Sequence, residues 1–156
     1  MISRRSFLAQ TAALGASLAG GQSVWAAIAV ADPKTMTIYM SPTCGCCAKW
    51  VDHVKAAGFK TVVHEDEDME TVKDSLGVPK AVRSCHTAQV DKYLIEGHVP
   101  AEDIKSLLAR KPEGAGLAAP GMPASSPGMA MPGQPHEAYD VVLFRRDGSS
   151  EVYTKH

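Results

Sequence analysis

Met36-Thr37-Ile38-Tyr39-Met40-Ser41-Pro42-Thr43-Cys44-Gly45-Cys46-Cys47-Ala48-Lys49-Trp50-Val51-Asp52-His53-Val54 is the stretch on which the fold turns. Its first five residues alternate and are β-branched or aromatic enough for a short strand. Ser41-Pro42-Thr43 then reads as a turn. From Cys46 onward the apolar positions Cys47, Trp50, Val51 and Val54 recur at helical spacing, and Gly58 stands where a helix would stop. Phe59 to His64 reads as a second strand. A strand–helix–strand unit therefore carries three of the four cysteines at its first strand-to-helix junction.

Outward from this unit, Glu65-Asp66-Glu67-Asp68 favours a helix over Met69 to Leu76 through the positive end of its macrodipole, and Gly77 stops it. Two short extended pieces are expected between Val78 and Gly97. Pro100 to Arg110 reads as a helix, with Glu102 and Asp103 in its first turn and Ile104, Leu107 and Leu108 as its apolar face. Residues 112 to 135 hold six prolines and five glycines in 24 positions, which predicts a loop or tether and no central strand. Tyr139 to Arg145 and Ser150 to Thr154 are strand-like, and Arg146-Asp147-Gly148-Ser149 between them signals a hairpin.

A cysteine-bearing βαβ unit points to an α/β sandwich of the thioredoxin kind with a C-terminal β-hairpin. The helix at Pro100 precedes that hairpin, whereas the usual thioredoxin order puts the hairpin before the final helix. The folded domain is expected over residues 35 to 156, with the Pro/Gly/Met-rich loop 112 to 135 inside it.

Ser3-Arg4-Arg5-Ser6-Phe7-Leu8, a modest Ala/Leu/Gly stretch and small-residue cleavage sites up to Ala31 look like a twin-arginine export signal over residues 1 to 31. Gln10, Thr11, Ser17, Gln22 and Ser23 interrupt the stretch, so stable membrane insertion after cleavage is not expected. The expected location is periplasmic, where thiols lack the reducing cytosolic pool. The full chain of 156 residues has net charge −1, so no positive field draws nucleic acid or anionic lipid.

Cys44-Gly45-Cys46-Cys47 packs three thiols into one turn at a helix N-terminus, where unpaired N–H groups and the macrodipole favour thiolate. A thiol–disulfide oxidoreductase would use Cys44 as nucleophile and Cys47 as resolving thiol, leaving Cys46 and Cys85 surplus. A polythiolate metal site would use all four. Soft sulfur donors select Cu(I), zinc or iron–sulfur clusters. Zinc motifs separate each cysteine pair by about two to four residues, so thiolates shared among copper ions suit this crowding better, with zinc as runner-up.

Cys85-His86 follows Pro79 in a region that a thioredoxin-like fold brings beside the cysteine turn; a buried structural cysteine with an exposed histidine is the plainer reading. His98, ahead of Pro100, stands where ligands commonly lie, though a lone histidine is more often a surface residue. His53 is expected to face solvent, and Met40 either lends a thioether or, the plainer reading, packs in the core. Met122, Met129 and Met131 are either tether composition or thioether donors. His136 and His156 could bind metal weakly and need no special role.

Ser41-Pro42-Thr43-Cys44-Gly45-Cys46-Cys47, Ser84-Cys85-His86-Thr87-Ala88, Glu96-Gly97-His98-Val99-Pro100, Pro120-Gly121-Met122-Pro123, Ser126-Pro127-Gly128-Met129 and Tyr139-Asp140-Val141-Val142-Leu143-Phe144 together resemble the CopG-type family. These are periplasmic, thioredoxin-like proteins associated with copper resistance, and the similarity runs over about residues 35 to 155. The resemblance implies a copper site on Cys44, Cys46 and Cys47, joined by Cys85, His86 and His98. It also implies multinuclear copper with Cu(I)/Cu(II) interconversion. The expectation is an exported chain that sequesters or passes on Cu(I), with copper ions and other periplasmic copper-handling proteins as partners.

Overall fold

The computed structural model describes residues 34–156, so the export signal expected over residues 1–31 lies outside the described residues. The elements run β1 (Thr35–Met40), α1 (Gly45–Ala56), β2 (Lys60–Glu65), α2 (Met69–Leu76), a 3-10 turn (Lys80–Val82), β3 (His86–Val90), β4 (Tyr93–Gly97), α3 (Ala101–Arg110), β5 (Gly116–Ala119), β6 (Asp140–Phe144) and β7 (Ser150–Lys155). The strands form one sheet in the order β2-β1-β3-β4-β5-β6-β7. β1 runs parallel to β2 and antiparallel to β3, which makes an antiparallel pair with β4.

The expected boundaries of β1, α1, β2, α2, α3 and the final hairpin recur within one or two residues because each has a local physical cause. The buried side of α1 is Cys47, Trp50, Val51 and Val54, the stripe read from the spacing. Asp68 caps α2 by accepting from the Thr71 amide at 3.1 Å, and Gly77 closes it in the left-handed conformation at φ 70°. Helix α1 and α3 share one face of the sheet, where Trp50 and Val54 join Ile38, Ile95, Ile104 and Leu107 in the main core. Leu76, Val78, Val82, Leu94, Ala118 and Phe144 form a smaller core on the other side. The fold is a thioredoxin-like α/β sandwich.

Two expectations need correction. The apparent departure from thioredoxin order dissolves, because β3 and β4 are themselves the hairpin that precedes the last helix. The β6–β7 hairpin is an extension of the sheet beyond that core. Within the proline-rich stretch, Gly116–Ala119 forms β5, an interior strand parallel to β4 and antiparallel to β6. Its four residues are buried and contain no proline, since Pro112 and Pro120 lie outside the paired span. Gly116 is there because a Cβ would lie 1.8 Å from the Leu94 carbonyl oxygen, a space only hydrogen can occupy.

Candidate metal centre

The sheet register builds the site. Met40, the last residue of β1, pairs with His86, the first of β3, so the turn leaving β1 and the chain entering β3 meet at the same end of the sheet. The cysteine bend emerges from one and Cys85 from the other. The consequence is convergence: one metal-binding atom from each of Cys44, Cys46, Cys47 and Cys85 all lie within 4.8 Å of one another. So do those of Cys47, Cys85, His86 and His98. Sulfurs held tetrahedrally at metal–sulfur bonds of about 2.3 Å stand about 3.8 Å apart, so small side-chain movements would close the four-cysteine set on an ion once all four are free thiolates.

Cys44 and Cys47 are joined as a disulfide with their Cα atoms 5.3 Å apart, while Cys46 and Cys85 are free thiols. Cys46 Sγ lies 3.5 Å from Cys44 Sγ. Cys47 is wholly buried, and Cys44 and Cys46 are partly exposed. Cys44 is also the N-cap of α1 and makes no side-chain capping bond, so its sulfur stands at the positive end of the helix.

Both histidines are buried, against the plainer expectation that they lie on the surface. His98 Nδ1 faces the Pro127 carbonyl oxygen at 2.7 Å. A carbonyl can only accept, so Nδ1 carries the proton and the Nε2 lone pair faces Cys85 Sγ at 3.1 Å. His86 Nδ1 is 3.4 Å from the same sulfur, whereas its buried Nε2 has no hydrogen-bond partner among the described residues. Burial, then the neighbouring His98 and Lys73, hold His86 well below the usual imidazole pKa; burial also lowers His98. Both rings are therefore neutral, the form that ligates. Burial and the nearby Cys46 push the Cys85 thiol up to about 11. A cation entering here must displace that proton.

Behind these groups stands a support that the sequence did not disclose. Lys73, the inward residue of α2, and Glu96 of β4 are both buried. Glu96 Oε1 accepts from Lys73 Nζ at 2.5 Å and from the Ser84 amide at 2.6 Å, and Oε2 accepts from Thr87 Oγ1 at 2.7 Å. One carboxylate thus grips both neighbours of the Cys85-His86 pair. Desolvation raises the Glu96 pKa, and the ammonium of Lys73 opposes the shift. Only the pairing makes such burial tolerable.

The proline-rich loop is the second unforeseen support. Gly128, at φ 86°, lies so close that a Cβ would stand 2.9 Å from both the Cys46 carbonyl oxygen and the Trp50 amide. Pro127 and Gly128 therefore sit on the start of α1 and fix His98. Trp50 donates from Nε1 to the Val99 carbonyl at 2.8 Å and lies against His86, ring centres 4.3 Å apart.

The remaining candidates divide. His53 does not simply face solvent: half-buried, its Nε2 accepts from the Ala101 amide at 3.0 Å, satisfying an orphan donor at the start of α3. Met40 is in the core. Met122 and Met131 are exposed. His156 pairs with Asp103 at 2.7 Å and stacks on Tyr139.

Among the described residues no helix is long and apolar enough to cross a membrane. A family model described as "Protein of unknown function, DUF411" matches residues 82–129, the span from before Cys85 to just past Gly128. No curated protein matches the chain. Two solved structures do: copper resistance protein CopG in its Form 1, at 43% identity and TM-score 0.73, and in its Form 2, at 42% and 0.73. Each comparison covers 80% of this chain and 98% of the solved one. That identity over nearly the whole of the solved chains, together with the same fold, places this chain in the CopG-type copper-resistance family.

Proposed function

We propose that the chain is an exported copper-binding protein that sequesters or transfers Cu(I) in copper resistance, using Cys44, Cys46, Cys47 and Cys85 as thiolate donors with His86 and His98 completing the site. The observation that carries this reading is the arrival of Cys85, from the chain entering β3, within 4.8 Å of all three sulfurs of the bend. The donor chemistry fits a soft ion: four sulfurs, two neutral imidazoles and no carboxylate in either set. Relatives named for copper resistance make copper the cation of choice over zinc.

Anaerobic Cu(I) titration of the fully reduced chain tests this, with a chromogenic chelator as competitor and metal analysis as the count. Cys46→Ser is expected to bring a marked fall in copper bound per chain. An unchanged count overturns the reading. Zinc in a structural role would instead show as unfolding on metal removal.

Gly128→Ala should weaken Cu(I) binding by about 10- to 100-fold, the usual effect of losing a group that orients a ligand. The added methyl meets backbone at 2.9 Å on two sides and is strained at φ 86°, so the loop lifts and the Pro127 carbonyl leaves His98. The same competition titration measures it; an unaltered affinity would show that the loop does not orient the ring.

The Cys44–Cys47 disulfide supports a second reading, a thiol–disulfide oxidoreductase attacking through Cys44. Metal-free reduction of a partner disulfide that survives replacing both Cys46 and Cys85 would favour it.

A further inference from the structure

The two four-donor sets overlap in Cys47 and Cys85, and Cys47 is locked to Cys44. Cys47 is fully buried, so a reductant from solution cannot approach its sulfur. Cys46 already lies 3.5 Å from the other half of the bridge, Cys44 Sγ, and is a free thiol. Gly45 between them has open space around its Cα, which leaves the bend room to turn.

We propose that Cys46 is an internal exchange thiol that opens the Cys44–Cys47 bridge when a soft cation arrives, so that the oxidised protein can acquire metal without an external reductant. This deepens the proposed function and rests on it. The Cys46 thiolate attacks Cys44 Sγ; a Cys44–Cys46 bond forms, the Cys44–Cys47 bond breaks, and Cys47 Sγ leaves as thiolate. The proton of Cys46 goes to solvent. One disulfide remains throughout, so no electron enters or leaves. The thiolate is released beside Cys85, His86 and His98, whose donor atoms stand within 4.8 Å of it, and the cation holds it there against return. Metal capture draws the exchange forward because the ligand it binds is the product. Cys46 is then neither surplus to a dithiol pair nor only a fourth sulfur.

The test uses Cd(II), a soft ion that cannot itself reduce a disulfide. Protein carrying the Cys44–Cys47 bridge is mixed with Cd(II) under argon without thiol, then quenched in acid with chelator and alkylated. Fragmentation of the peptide containing all three cysteines shows which one is labelled. The label is expected on Cys46 before metal and on Cys47 after it, with about one Cd(II) bound per chain. Oxidised Cys46→Ser should keep its bridge and bind none, while a circular dichroism spectrum and melting curve matching those of the oxidised wild type show that the fold is intact. If the label stays on Cys46 in excess Cd(II), whether or not metal binds, the exchange is overturned. Reduced wild-type chain separates the two ideas: if it binds Cu(I) while the oxidised chain shows no migration, only the exchange fails, and if it binds neither ion the metal reading fails with it.

Discussion

Cys85→Ser is expected to lower the affinity of the reduced chain for Cu(I) by on the order of 100-fold or more, beyond the 10- to 100-fold usual for groups behind a ligand. Cys85 belongs to both four-donor sets, and its sulfur contacts both histidines. Serine cannot replace it, because a hydroxyl is a hard, protonated oxygen where a soft cation needs thiolate. Little change in folding is expected, since the side chain lies partly buried at the edge of the main core and serine has nearly its size. Chelator competition reads the affinity and a urea melt the stability. Undiminished copper binding by Cys85→Ser would mean that the bend acts alone and that the convergence of β1 and β3 has no bearing on the metal.

Lys73→Met is expected to cost about 3–5 kcal/mol of stability, the usual consequence of stranding one charge of a buried pair. For a domain of this size that corresponds to a fall in melting temperature of roughly 10–20 °C. The methionine fills the space of the lysine stem but leaves the Glu96 carboxylate without its cation in a site sealed from water. Burial already raises the Glu96 pKa, and loss of Lys73 raises it further. A carboxyl whose folded pKa is raised takes up protons more readily folded than unfolded, so the deficit is largest at neutral pH and shrinks as the pH falls and Glu96 protonates.

The double variant Lys73→Met with Glu96→Leu should recover most of the stability, because no buried charge is left. It should not recover Cu(I) affinity. With the carboxylate gone, the Ser84 amide and the Thr87 hydroxyl lose the acceptor that fixes the Cys85-His86 pair between them. Recovery of both properties together would assign the pair to folding alone.

The histories of individual residues show why part of this site could be read early and part could not. Cys44, Cys46 and Cys47 announce themselves, because soft donors crowded into one turn have few other uses. Cys85, His86 and His98 were joined to the bend only by the family resemblance, since each read alone has a bland alternative. Lys73 gave no signal: on an amphipathic helix a lysine is expected in water, and only the placement of Glu96 opposite Thr87 explains why it turns inward. Pro127 and Gly128 were hidden in a composition that averages to a tether. Gly116–Ala119 was hidden by the same averaging, since four residues between prolines are too few for a periodic pattern.

Local chemistry in the chain was enough to set the βαβ opening, the helix ends and the identity of the sulfur donors, because strands, caps and thiolates depend on residues within a few positions of each other. The pairing of Met40 with His86 lies beyond such reach, as do the grip of Glu96 on both sides of Cys85 and the seat of Gly128 on α1. These contacts bridge dozens of residues, and their existence depends on strand order and register, which local preference does not encode. Tertiary structure therefore decided which donors meet, what aims them and which sulfur is buried.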